Sequence, residues 1–345
     1  MTSRAWTLIA VVLLSVVGAG WYVWRAGTRT PPASSEAPAP PPMKPLAGTP
    51  PAAGSLVAFT RQSGSPDGKD SSFGVAPLSD LADARYDENL RCLRVHMSGD
   101  RGVCLEQQGM FPVKYVAVVF DAEYRRLSEV DLAGVPSRTQ VSPSGRYAGV
   151  TVFVAGHSYL DIGFSTRTSI LDTQEGRWLV EDLEAFSVRR NGQAFRAVDF
   201  NFWGVTFAAD NRTFYATLGT GGKTFLVRGT IEAKVLEVIY DDVECPSLSP
   251  DNTRVAYKHR VEQGIGPAVW QLQVLDLASG QRTTLAETRT VDDQVQWLDD
   301  RNVMYSIPGE QPAVMNTWVV PADGTGAARV FLPMSYSAAV VRRAS

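Results

Sequence analysis

A strand–turn–strand unit recurs along this chain, and the recurrence restricts the fold more than any other feature. The two fullest copies are Val141-Ser142-Pro143-Ser144-Gly145-Arg146-Tyr147-Ala148 and Leu248-Ser249-Pro250-Asp251-Asn252-Thr253-Arg254-Val255-Ala256-Tyr257. Weaker copies start at Phe207, Trp297 and, faintest, Met97. Proline presets φ, and Asp, Asn and Gly tolerate the left-handed backbone of a tight hairpin. Upstream, Val205 with Phe207, Pro246 with Leu248 and Val295 with Trp297 alternate at period two, as half-buried strands do. A second unit comes after the first, clearest in Leu272-Gln273-Val274-Leu275-Asp276-Leu277-Ala278-Ser279-Gly280-Gln281 and echoed from Ser169, Trp318 and Ala117. Two hairpins per repeat make a four-stranded antiparallel sheet, and the interval of 41 to 66 residues is that of propeller blades.

The predicted fold class is therefore all-β, a six-bladed β-propeller, with seven blades as the alternative. Five blades follow from the five turn copies. The sixth starts from Leu56-Val57-Ala58-Phe59 and Phe73 to Leu78 and is completed by C-terminal residues, either Ala328 to Leu332 or Tyr336 to Val341. Such a closure leaves the ring with no open edge.

The first 54 residues read differently. Trp6 to Trp24 carries no charge, and its 19 residues would rise about 28 Å as a helix, near the thickness of a bilayer core. Trp6 at one end and Trp21, Tyr22 and Trp24 at the other match an aromatic belt. Residues 1–29 are predicted to be a signal-anchor that exports the rest of the chain; a signal peptide cleaved near Val17-Gly18-Ala19 is the alternative. Residues 30–54 are rich in proline and alanine and predict a disordered, extended spacer. The propeller is assigned to residues 55–342.

The repeat motifs resemble those of the TolB-like propellers, built from the WD40-like or PD40 repeat. Ser142-Pro143-Ser144-Gly145, Ser249-Pro250-Asp251-Asn252, Trp297-Leu298-Asp299-Asp300 and Val274-Leu275-Asp276-Leu277 carry the resemblance. Tyr215 to Val227 with Val243 to Pro250 is similar to membrane-anchored TolB-like proteins of actinobacterial type. The family implies a non-catalytic platform that engages protein partners at a face or at the channel mouth.

Candidate chemistry is sparse. Gly219-Thr220-Gly221-Gly222-Lys223-Thr224 looks like a phosphate-binding loop, but a Walker A motif needs a glycine where Thr217 stands and a helix after it. The strand-forming run Phe225 to Arg228 predicts a hairpin tip instead, and no nucleotide. His96, His157 and His259 are isolated, and no G-x-S-x-G elbow accompanies them. Asp241, Asp242 and Glu244, with Asp292 and Asp293, precede innermost strands and are expected near one channel mouth as a ring for a cation or basic ligand. No resident metal or cofactor is expected. Cys92 and Cys104 flank a turn, where a disulfide or two buried thiols are both open readings; Cys245 is left over as a small core residue. A net charge of -3 gives no basic excess that would favour nucleic acid. The expected role is a membrane-tethered, single-pass, extracytoplasmic module that binds a protein partner in the cell envelope. The alternative is a propeller enzyme or a glycan- or cation-binding protein that uses the acidic mouth.

Overall fold

The computed structural model describes residues 43–46, 54–62, 71–109, 111–154, 165–261, 268–309 and 314–342. The apolar run 6–24 and most of the proline-rich stretch lie outside these residues. Among the described residues no helix is long and apolar enough to cross a membrane.

Six antiparallel sheets succeed one another along the chain. Blade 2 comprises Cys92–Ser98, Arg101–Gln108, Lys114–Asp121 and Arg126–Asp131, hydrogen-bonded in that order from the innermost strand outward. Blades 3, 5 and 6 repeat the plan, with innermost strands Val135–Val141, Glu244–Leu248 and Gln296–Trp297. Each of the five recurrent turns joins the innermost strand of a blade to the next one out. Asn211 and Asn252 adopt positive φ in two of these turns and link them to their neighbours. The Asn211 side chain accepts from Ser144 N–H at 2.8 Å, and Asn252 accepts from Ala209 N–H at 2.8 Å.

Blade 1 closes the ring. Its innermost strand is the C-terminal Ser335–Val341, paired antiparallel with Leu56–Gln62 so that Leu56 faces Val341 and Val57 faces Val340. Of the two C-terminal segments expected there, Tyr336 to Val341 performs the closure, while Arg329–Leu332 is the outer strand of blade 6. The composition predicts a spacer running to Gly54. Lys44–Pro45 instead forms the outermost strand of blade 1, parallel to Arg85–Asp87, with Met43 and Leu46 packed on the core. Two backbone bonds explain this departure: Lys44 N–H reaches Ala84 O, and Leu46 N–H reaches Tyr86 O at 2.7 Å.

The longest repeat interval, 66 residues, contains an insertion. After the short 3-10 turn Leu183–Ala185, a hairpin of Ser187–Arg190 and Gln193–Phe195 joins blade 4 alongside Val235–Asp241, in parallel, and makes it six strands wide.

The core lies between blades. Middle strands such as Lys114–Asp121 are buried over most of their length because both faces pack on neighbouring sheets. One cluster joins Leu56, Phe73 and Val341 of blade 1 to Met97, Val118 and Phe120 of blade 2, where the rings of Phe73 and Phe120 meet edge to face at 5.3 Å. Cys92 and Cys104 are joined in a disulfide with Cα atoms 5.1 Å apart. The register sets Cys92 opposite Glu106 and Cys104 opposite Val95, so the bridge runs diagonally across a bulge. Cys245 is buried and unbridged.

Polar bonds stitch the innermost strands together. Val141 N–H donates to His96 Nδ1 at 3.1 Å, and Leu248 N–H donates to Thr206 Oγ1 at 3.1 Å. His96 and Thr206 occupy the same repeat position, one residue before Met97 and Phe207, and they serve the same backbone position in the next blade. Thr206→Val leaves Leu248 N–H buried without its acceptor. It should cost about 1 to 3 kcal/mol, read as a lower urea midpoint at unchanged slope.

Candidate functional site

The glycine-rich run is a hairpin tip. Thr213–Thr220 and Lys223–Thr230 pair directly, Thr220 opposite Lys223, which leaves a two-residue loop. Gly221 and Gly222 have φ of 57° and 72°, the doubly left-handed geometry of a type I′ turn. The amide that a phosphate would seek is already engaged: Gly221 N–H donates to Asp199 Oδ2 at 2.6 Å, and the Thr220 hydroxyl donates to Asp199 Oδ1 at 2.5 Å. These two bonds hold the Asp199 carboxyl below its ordinary range.

The five carboxylates expected at the channel mouth divide into two groups. Asp241, largely exposed, pairs with Arg190 of the inserted hairpin at 3.0 Å. Asp242, at positive φ in the turn after Val235–Asp241, lies 2.8 Å from His259 Nδ1. Neither lines the channel cavity. Glu244, Asp292 and Asp293 do turn toward basic partners of the inner strands. Lys258, with its side chain only 4% exposed, lies 2.5 Å from Asp292 and 3.8 Å from Glu244, and its ammonium stands 4.7 Å above the Trp270 ring. Arg138 is 3.8 Å from Asp292, and Arg94 is 3.4 Å from Asp293.

The mouth is thus an alternation of three acids with three bases, and the expected acidic ring is corrected accordingly. Among the described residues no group of His, Cys, Asp and Glu is arranged to hold a metal ion. Burial pushes the Glu244 carboxyl up, and Lys258 only partly reverses this. Burial also pushes Asp292 up, but Lys258, then Arg138 and Arg94, outweigh it and leave that carboxyl below its ordinary range. Lys258→Met leaves the largely buried Glu244 and the more exposed Asp292 without their shared cation. It should cost about 3 kcal/mol in thermal or chemical unfolding, with Lys258→Arg costing less.

Sequence reasoning missed Arg94, Arg138 and Lys258. A signal for two of them existed: Arg94 and Arg138 each lie three residues before the first residue of the turn motif, Met97 and Val141. Extending the repeat comparison upstream puts them in one slot. Between them lies a channel cavity of about 20 Å3, walled by Arg94, Arg138, Thr139, Asp293, Gln294 and Ser337 among others. No Phe, Tyr or Trp lines it. That volume suits one water-sized occupant, far below the several hundred Å3 of an organic ligand site.

Of the histidines, His96 is a structural member of the ring and His157 lies outside the described residues. Burial drives the His96 pKa down to about 4, against a small opposing effect of Gln296. The folded protein therefore holds His96 neutral where the unfolded chain, titrating near 6.5, binds a proton. Its contribution of about 3 kcal/mol is intact above pH 6.5 and is lost as pH falls toward 4. His96→Asn, which keeps an acceptor for Val141 N–H, should flatten the stability profile in that window when unfolding free energy is measured from pH 4 to 7.

A closed ring of six radial antiparallel blades around a channel is a six-bladed β-propeller. No family model matches the sequence, and no curated protein matches it. Among solved structures, TolB from Acinetobacter baumannii is similar, with a TM-score of 0.56 at 13% identity over 84% of this chain and 67% of that one. A chain of a nidogen/laminin complex gives a TM-score of 0.52 at 10% identity, over 83% of this chain and 98% of that one. The tricorn protease gives 0.43 at 12% identity, over 80% of this chain and 30% of that one. In fold, the chain is a six-bladed β-propeller similar to TolB.

Proposed function

We propose that this protein is a non-catalytic interaction or scaffolding module, tethered to the membrane by residues 6–24 and displayed outside the cytoplasm, as in membrane-anchored TolB-like proteins of actinobacterial type. The apolar run, its aromatic flanks and the proline-rich stretch after it support the tether and the display. The TolB-like fold supports the interaction role by analogy.

The observation that carries the reading is on the face where the innermost strands begin. There Phe111, next to Pro112 in the loop between Arg101–Gln108 and Lys114–Asp121, is 97% exposed. Val198, just ahead of the innermost strand of blade 4, is fully exposed on the same face, and Val113 is 45% exposed. Aromatic and aliphatic side chains held out by short loops on a rigid scaffold are the anchors protein interfaces use. The channel beneath, filled by paired charges, leaves a cavity of water size, so binding falls to the face.

The test is site-specific photocrosslinking in intact cells of the native host, with a photoreactive residue at position 111 or 198. The expected result is one discrete adduct with an envelope protein from both positions and none from Arg212, in a turn on the opposite face. Adducts from position 212 alone, or from none of the three, would sink the assignment.

A further inference from the structure

The channel cavity faces hydrogen-bond donors that the protein leaves little used. Arg94 and Arg138 come from the same repeat slot on the innermost strands of adjacent blades and line one cavity. The charged residues of its wall are these two arginines and Asp293; with Lys258, Glu244 and Asp292 just outside it, charge balances at three and three. Asp292 lies nearby, but Lys258 holds it at 2.5 Å, while its distance to Arg138 is 3.8 Å.

The arginines are poorly matched by the protein. A guanidinium offers five N–H donors. Arg138 Nε points at Cys245 Sγ at 3.2 Å, and its NH1 reaches only the carbonyl and hydroxyl of its neighbour Ser137, at 3.3 and 3.4 Å. Arg94 makes one long hydrogen bond, at 3.4 Å to Asp293. A third donor faces the same space: Thr139, 7% exposed, lines the cavity, and its buried hydroxyl has no hydrogen-bond partner among the described residues. Buried hydrogen-bond donors left without acceptors are disfavoured. Two arginines and a free hydroxyl around about 20 Å3 define a site for one small anion, too tight for a carboxylate-bearing molecule.

We propose that a single halide ion, chloride under physiological conditions, occupies the channel between Arg94 and Arg138 with the Thr139 hydroxyl as its third donor. The ion accepts from donors that the protein leaves little used and ties the inner strands of blades 2 and 3 together. This role is independent of any partner on the outer face.

The test is thermal unfolding of the purified full-length protein at constant ionic strength, with sodium bromide or chloride replacing sodium gluconate, whose anion exceeds the cavity. A saturable rise in Tm with halide is expected for the native protein. Thr139→Val, a nearly isosteric change, should need about tenfold more halide for the same rise. Arg138→Gln should show no halide response. Crystals grown in bromide should give an anomalous peak between Arg94 and Arg138. Equal Tm in halide and gluconate would overturn the proposal. So would a halide response that Thr139→Val and Arg138→Gln leave unchanged, or a channel that holds only water in bromide crystals.

Discussion

Ring closure is the constraint on which everything else rests. Ser335–Val341 lies against Leu56–Gln62, so residues from opposite ends of the propeller share one sheet. Without that pairing, blade 1 lacks its innermost strand and Leu56–Gln62 presents an open edge, the usual template for unwanted association. Closure also gives every blade two neighbours, which is what buries both faces of strands such as Lys114–Asp121. Contacts of such long sequence separation form at a greater loop-closure cost than the hairpins within each blade.

At the axis, the innermost strands depart from regular pairing. A one-residue irregularity interrupts the ladder near Leu93, Ser137, Gly204, Cys245 and Ser337, in five of the six innermost strands. Gly204, Cys245 and Ser337 take positive φ there. A bulge re-aims the side chains around it and frees backbone groups that a side chain of the preceding blade then captures. Val95 N–H donating to Ser337 Oγ, and Cys245 N–H donating to Thr217 Oγ1, are examples. The same irregularities turn Arg94 and Arg138 toward the channel, where they meet Asp293 and Asp292 ahead of the inner strand of blade 6.

This arrangement decides what the channel can do. Paired ions in a low-dielectric interior are costly to separate, and they fill space that a substrate would need. The charges therefore serve the architecture, and in the proposed reading recognition falls to the outer loops, where Phe111 and Val198 stand exposed. Asp199 plays the same part at the hairpin tip, supplying from within the chain the anion that a glycine-rich turn attracts.

Blade identity was legible because the Ser-Pro-Ser-Gly and Ser-Pro-Asp-Asn turns dictate local backbone geometry, and local geometry repeated along a chain names the architecture. The hairpin nature of Thr220 to Lys223 was legible for the same reason: paired glycines followed by strand formers specify a tight turn. The candidate site was much less so. Period-two alternation tells which side a residue faces only while the register is unbroken, and each bulge shifts that count by one for all residues upstream. Asp241 and Asp242 were grouped with Asp292 and Asp293 because each pair precedes an innermost strand, although they face Arg190 and His259. The basic partners Arg94, Arg138 and Lys258 went unseen because no local pattern sets them beside acids remote in sequence. Local turn chemistry, contained in the sequence itself, determined the repeating sheets and their order. Which charges meet at the axis was decided only by the closed ring, because that depends on distances between blades remote in sequence and not on any residue's own neighbours.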